Sequence, residues 1–124
     1  MSLPFFMMTK VGIDIRGGDH APHAILEGLH RALPELKAST QVHLYGLVED
    51  LQNLPTSCVA VPCPTWIGME EHPVKSFQQK PQSTLVQGFK DLAQGKIDSF
   101  ASAGHSGALM VGAMQVLGVI KGFS

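Results

Sequence analysis

Aromatic residues are scarce in this chain: one Trp, one Tyr and six Phe stand among 124 residues. Its nine Lys and Arg residues are scattered, and the net charge is −1. A nucleic-acid surface needs clustered cations interleaved with stacking aromatics, so none is expected here. Cysteine is equally sparse. Cys58 and Cys63 flank Val61-Pro62 and read as strand and exit-loop residues of a reducing, cytoplasmic compartment rather than as a disulfide. No long hydrophobic run occurs. The longest, Ala108–Ile120, is interrupted by Gln115 and is too short to span a bilayer. The apolar opening Leu3–Met8 lacks the basic flank and cleavage site of a secretory signal. Neither G-x-G-x-x-G nor the P-loop pattern is found, which leaves nucleotide binding only weakly supported. Repeats, linkers and low-complexity tracts are also missing.

What is present is an ordinary globular balance, 44% hydrophobic and 15% charged, at the length of one domain or a piece of one. Val11–Ile15, Gln41–Tyr45, Cys58–Val61 and Ile97–Ser102 read as strands. Pro22 suits the first turn of a helix over His23–Leu33, with Ile25, Leu26, Leu29 and Leu33 on one face and Pro34 disturbing its end. A short helix is expected within Val48–Leu54. Ser83 is placed to cap a helix running to Gln94, with Gly95 as its terminator. Ser106–Leu117 reads as an apolar helix with small residues for close packing. Ile67–Gln82 is polar and carries no firm pattern. Alternating strands and helices of this length indicate an α/β domain with a mostly parallel sheet.

Two glycine-rich strand-to-helix junctions carry the chemistry. The first is Gly12–Pro22, with Gly17-Gly18-Asp19-His20 at its turn; the second is Ser102–Met110, with Gly104-His105-Ser106-Gly107. Such junctions aim backbone N–H groups and the positive end of a helix at one point, which suits a phosphate or an oxyanion. Asp14, Asp19, His20 and His23 have the chemistry of metal ligands, but their spacing matches no metal motif. Asp19 and His20 are better read as loop-fixing or substrate-orienting groups. Gly104–Ala108 imitates a nucleophile elbow, yet the acid and His that should follow Ser106 in chain order are not found after it. Ser106 is instead a helix cap that also donates to an anion. Trp66 and Met69 read as loop packing. Met69–Lys75 allows two readings: a solvated loop entering a helix at Pro73, or a functional element in which Lys75 brings positive charge and His72 a proton or an orienting bond.

Gly12–Pro22, Glu71–Lys75 with Ser83-Thr84, and Ser102–Met110 resemble, in that order, three motifs of the PlsX-type phosphate acyltransferases of bacterial phospholipid synthesis. Those motifs read close to G-I-D-A-M-G-G-D-H-A-P, E-H-P-V-K with a later S-S/T, and S-A-G-N-T-G-A-L-M. The resemblance implies a three-layer Rossmann-like fold of the isocitrate/isopropylmalate dehydrogenase kind, incomplete in this chain, with no bound cofactor. It implies transfer of a fatty acyl group from acyl carrier protein to orthophosphate, giving acyl phosphate, by a protein that is usually a homodimer. Any peripheral membrane contact would fall to the part not represented here. On this reading Ser102, Gly104, His105, Ser106 and Gly107 cradle phosphate and Gly17 and Gly18 face them. Asp19, His20, His72 and Lys75 are then the candidate catalytic groups, with no metal. The chain departs from the pattern at Ile15 and Arg16, at His105 and Ser106, at Gln78 and Gln79 where arginines are usual, and at Pro81 and Gln82. Residues 1–9 are expected to be an extension, with Met1–Met7 dispensable, and 10–124 the N-terminal part of the α/β domain. A truncated, inactive chain and a small anion-binding module without catalysis are the rival readings.

Overall fold

A computed structural model describes residues 8–104 and Gly112. Among the described residues the strands and α-helices follow one another as β1 (Thr9–Asp14), α1 (His23–Ala32), β2 (Thr40–Gly46), β3 (Cys58–Pro62), α2 (Pro73–Gln79), α3 (Thr84–Ala93) and β4 (Ser99–Ser102). Single 3₁₀ turns lie at Leu33–Glu35, where Pro34 ends the α-helical bonding, and at Val48–Leu51. The four strands form one sheet in the order β3-β2-β1-β4, and every pairing is parallel. This is the α/β architecture expected from the alternating pattern.

Alternation along the strands sorts the core into two layers. Val42 and Leu44 of β2 join Ile13, Ile15, Ile25 and Leu29 beneath α1. Tyr45, Ile97, Leu92 and Phe100 pack on the opposite face. Phe77, Leu85, Val86 and Phe89 of α2 and α3 continue that second layer against Phe100. Helices therefore cover both faces, as a parallel sheet requires. Tyr45 is fully buried, and its hydroxyl donates to Asp91 of α3 at 2.7 Å. Burial, then that bond, holds the phenol well above its ordinary pKa.

Local chemistry explains the element ends. Ser83 caps α3 by accepting the Val86 N–H at 3.2 Å, and Gly95 leaves the helix with φ +75°. The strand expected from Ile97 starts instead at Ser99, because Asp98 is occupied otherwise. Its carboxylate accepts the Lys10 N–H, and its own N–H donates to the Lys10 carbonyl, both at 2.7 Å. The segment without a firm pattern contains α2, started by Pro73 and by His72, whose Nδ1 accepts the Lys75 N–H at 3.3 Å. The helix expected over Ser106–Leu117 lies outside the described residues except for Gly112. That residue is helical and buried, and a Cβ there would stand 2.5 Å from the Phe89 ring.

Candidate functional site

The chain runs β1, β2, β3 toward one edge of the sheet and then returns to place β4 on the other side of β1. In open parallel sheets, ligands bind beyond the carboxyl ends of strands at such a reversal. The two glycine-rich turns are those carboxyl ends. Asp14 closes β1 directly opposite Ser102, the last residue of β4.

The turns touch backbone to backbone. A Cβ on Gly17 would lie 2.6 Å from Ser102 Oγ and 2.8 Å from the Gly104 nitrogen. Gly17 is therefore required by contact. Gly18 has φ +95°, in the left-handed region that disfavours side chains. Among the described residues, the N–H groups of Gly18, Asp19 and His20 donate to no described acceptor.

Beneath the turns sits a buried polar node. The Asp14 carboxyl, 4% exposed, accepts the Arg16 N–H at one oxygen and the Ser102 hydroxyl at the other, both at 2.9 Å. Ser102 Oγ in turn accepts the Gly104 N–H at 3.1 Å. Burial pushes the Asp14 carboxyl above the usual carboxylate range. The Thr84 hydroxyl, the Arg16 N–H and Ser102 pull the other way. Thr84 Oγ1 nevertheless falls outside hydrogen-bonding geometry, and it is the one buried side-chain polar atom without a partner among the described residues. Cys63, at the end of β3, is a free thiol pushed up to about 11 by burial, then by the nearby Asp14 and Asp91 carboxylates.

A second group stands beside this node. Arg16 makes a two-point pair with Asp50, at 2.7 Å from Nε and 2.6 Å from Nη2, and lies 4.8 Å over the Trp66 ring. A cavity of about 300 Å³ opens there, lined by Arg16, Gly18, Asp19, Trp66, Gly68 and Glu70. Trp66, 38% exposed, and Met69, 46% exposed, line this cavity rather than being buried as loop packing.

Residues 9–124 match the family described as fatty acid synthesis protein. The chain belongs to that family. It is 38% identical over 123 residues to the phosphate acyltransferase of Caldicellulosiruptor bescii, covering 91% of this chain and 36% of the relative. The Streptococcus uberis phosphate acyltransferase is 35% identical over 118 residues, covering 93% and 35%. The Salinibacter ruber one is 35% identical over 122 residues, covering 92% and 36%. The match is to a PlsX-type N-terminal portion, and the chain spans just over a third of the length of these relatives.

Of the candidate residues of this family member, Gly17, Gly18, Ser102 and Gly104 meet at one point. Asp19 is exposed and lines the cavity, while His20 is exposed beside it. His72 and Lys75 lie on the exposed first turn of α2. Among the described residues, no hydrogen bond or ion pair joins them to Gly17–His20. Among the described residues, the lysine tied to the Trp66–Glu71 loop is Lys80, which bonds Glu71 at 2.7 Å and the Trp66 carbonyl at 3.0 Å. His105, Ser106 and Gly107 lie outside the described residues. Sequence reading weighed Asp14 only as a metal ligand and passed over Arg16, Asp50 and Thr84 as site residues. Among the described residues, no group of three or more His, Cys, Asp or Glu side chains is placed to hold a metal. The available signal was a carboxylate closing an apolar strand at an inward position, Val11-Gly12-Ile13-Asp14. Among the described residues, no helix is long and apolar enough to cross a membrane.

Proposed function

We propose that this chain supplies the phosphate-binding turns of a phosphate acyltransferase, a protein that moves a fatty acyl group from a carrier-bound thioester to orthophosphate. The observation that carries this reading is the close approach of Gly17 to the Ser102 side chain and the Gly104 backbone at the carboxyl ends of β1 and β4. The close approach leaves the N–H groups of Gly18, Asp19 and His20 as free donors among the described residues, which suits a tetrahedral anion. Gly17, Gly18, Ser102 and Gly104 hold the anion. His105, Ser106 and Gly107 continue the cradle, Asp19 and His20 orient its mouth, and Lys75 and His72 form an outer rim.

In the reaction, a phosphate oxygen attacks the thioester carbonyl carbon. A C–O bond forms, charge collects on the carbonyl oxygen, and the C–S bond then breaks. The thiolate leaves and takes the proton that the attacking hydrogen phosphate gives up, giving thiol and acyl phosphate. Phosphate is itself the nucleophile, so no Ser or Cys is needed for attack. The protein works by positioning and by donors aimed at developing charge. The partners are therefore an acyl carrier protein and orthophosphate, with a homodimer as the assembly of the longer protein.

Calorimetric titration with inorganic phosphate tests the cradle. Gly17→Val forces a side chain into Ser102 Oγ and the Gly104 nitrogen and should remove binding, whereas Gln94→Ala, at the far end of α3, should leave it intact. Equal phosphate affinity in the parent and in a folded Gly17→Val variant would take these turns out of the site.

A further inference from the structure

The Ser102 hydroxyl has a single proton, and that proton is committed. It donates to Asp14 Oδ2 at 2.9 Å, while the lone pairs of Ser102 Oγ receive the Gly104 N–H at 3.1 Å. An anion arriving at the two turns meets a hydroxyl already turned inward and a buried carboxyl group directly behind it. Among the described groups, no cation compensates that carboxylate. The Arg16 guanidinium points away to Asp50, and only its N–H reaches Asp14. From α3, the Thr84 hydroxyl and, further off, Asp91 stand on the same side. From the end of β3 comes the Cys63 thiol. Tyr45 and Gln87 hold Asp91 in place.

We propose that Ser102 donates to the bound anion and that Asp14 takes up a proton from solvent when it does. The proposal rests on the phosphate reading above. With a proton on Asp14, the bond reverses. The carboxylic O–H donates to Ser102 Oγ, the Ser102 O–H swings outward to the anion, and Gly104 keeps its bond to the second lone pair. One proton enters and none leaves. The negative charge behind the site disappears as the ligand's charge arrives. Asp14 is thus a positioning residue acting through Ser102. The desolvation that already favours its neutral form reduces what the anion must supply.

Linkage makes this measurable. If binding takes up one proton, affinity falls by up to about tenfold for each pH unit between the free and bound pKa values of Asp14. Sulfate is the probe, because unlike phosphate it does not titrate in this range. Calorimetry on the 124-residue chain in two buffers of different ionisation enthalpy counts the protons directly. Run across the pH range, the parent should take up close to one proton per sulfate between the free and bound pKa values of Asp14. Asp14→Asn presents an amide N–H to Ser102 in place of the carboxylic O–H. It should bind sulfate more tightly than the parent above the bound pKa of Asp14, with the pH slope removed. Ser102→Ala should also lose the slope while binding more weakly than Asp14→Asn, and it keeps the test decisive should Asp14→Asn unfold. A structural role alone would lower stability without changing the proton count. A slope and proton count that survive in both variants would overturn the proposal. Sulfate and phosphate binding with no proton uptake by the parent would overturn it while sparing the phosphate reading. No binding of either anion would remove both.

Discussion

Arg16 stands where the PlsX-type motif carries Met, and the structure gives the substitution a partner. Asp50, with its side chain 3% exposed, accepts two bonds from Arg16 and a third from the Leu47 N–H at 2.9 Å. The Asp50 pairing, followed by its charge and that of Glu49, outweighs desolvation and raises the guanidinium pKa, so Arg16 stays charged. Returning the motif residue with Arg16→Met strands a buried carboxylate, which costs about 3 kcal/mol or more. Pairing it with Asp50→Leu removes the stranded charge and should recover most of that loss. Urea denaturation of the three variants measures both effects. The same change uncovers one face of Trp66, the sole tryptophan, so its emission should shift in Arg16→Met.

At the scale of elements, two helical glycines do opposite things. Gly88 of α3 faces Phe100 so closely that a Cβ would stand 2.1 Å from the ring. The ring is fixed between Tyr45 at 5.5 Å and Phe89 at 5.6 Å, so it has little room to yield. Gly88→Ala should therefore destabilise by about 1–3 kcal/mol, outweighing the gain in helix propensity. Gly28 of α1 has nothing within 4 Å of its Cβ position and borders an apolar cavity of about 230 Å³. Gly28→Ala should stabilise by up to about 1 kcal/mol. Thermal melts of the two single variants check the sign of each, and a gain at Gly88 would place α3 further from β4 than described.

For the molecule as a whole, coverage of the sheet is uneven. The α3 layer reaches across β1, β2 and β4, whereas α1 leaves Val11 and Ile13 only half-buried beside that apolar cavity. Ser99 and Ala101, on the α1 face of β4, are exposed, and β4 is an edge of the described sheet. Open parallel edges and uncovered apolar surface drive association. The 124-residue chain is expected to be oligomeric by light scattering. Because the described residues of the proposed anion site form no second wall for a thioester and its acyl tail, the chain alone should form no acyl phosphate in a hydroxylamine-trapping assay. A monodisperse monomer that turns over would refute both expectations.

The α/β alternation, the helix over His23–Leu33, the Ser83 cap and the Gly95 stop were legible because each rests on neighbours in sequence: apolar spacing, a capping hydroxyl, a permissive glycine. The first glycine-rich turn was legible for the same reason, and the second as far as Gly104. What no local pattern contains is the return of β4 to the side of β1, which sets Asp14 against Ser102 across 88 residues of chain. Nor does it contain the pairing of Arg16 with Asp50, or the choice of Lys80 over Lys75 beside the Trp66 loop. The true start of β4 was also tertiary, since Asp98 binds Lys10 of another strand. Sequence determined which backbone segments could approach an anion. Only the folded sheet decided which side chains stand behind them, because burial and hydrogen-bond partners come from residues far apart in the chain.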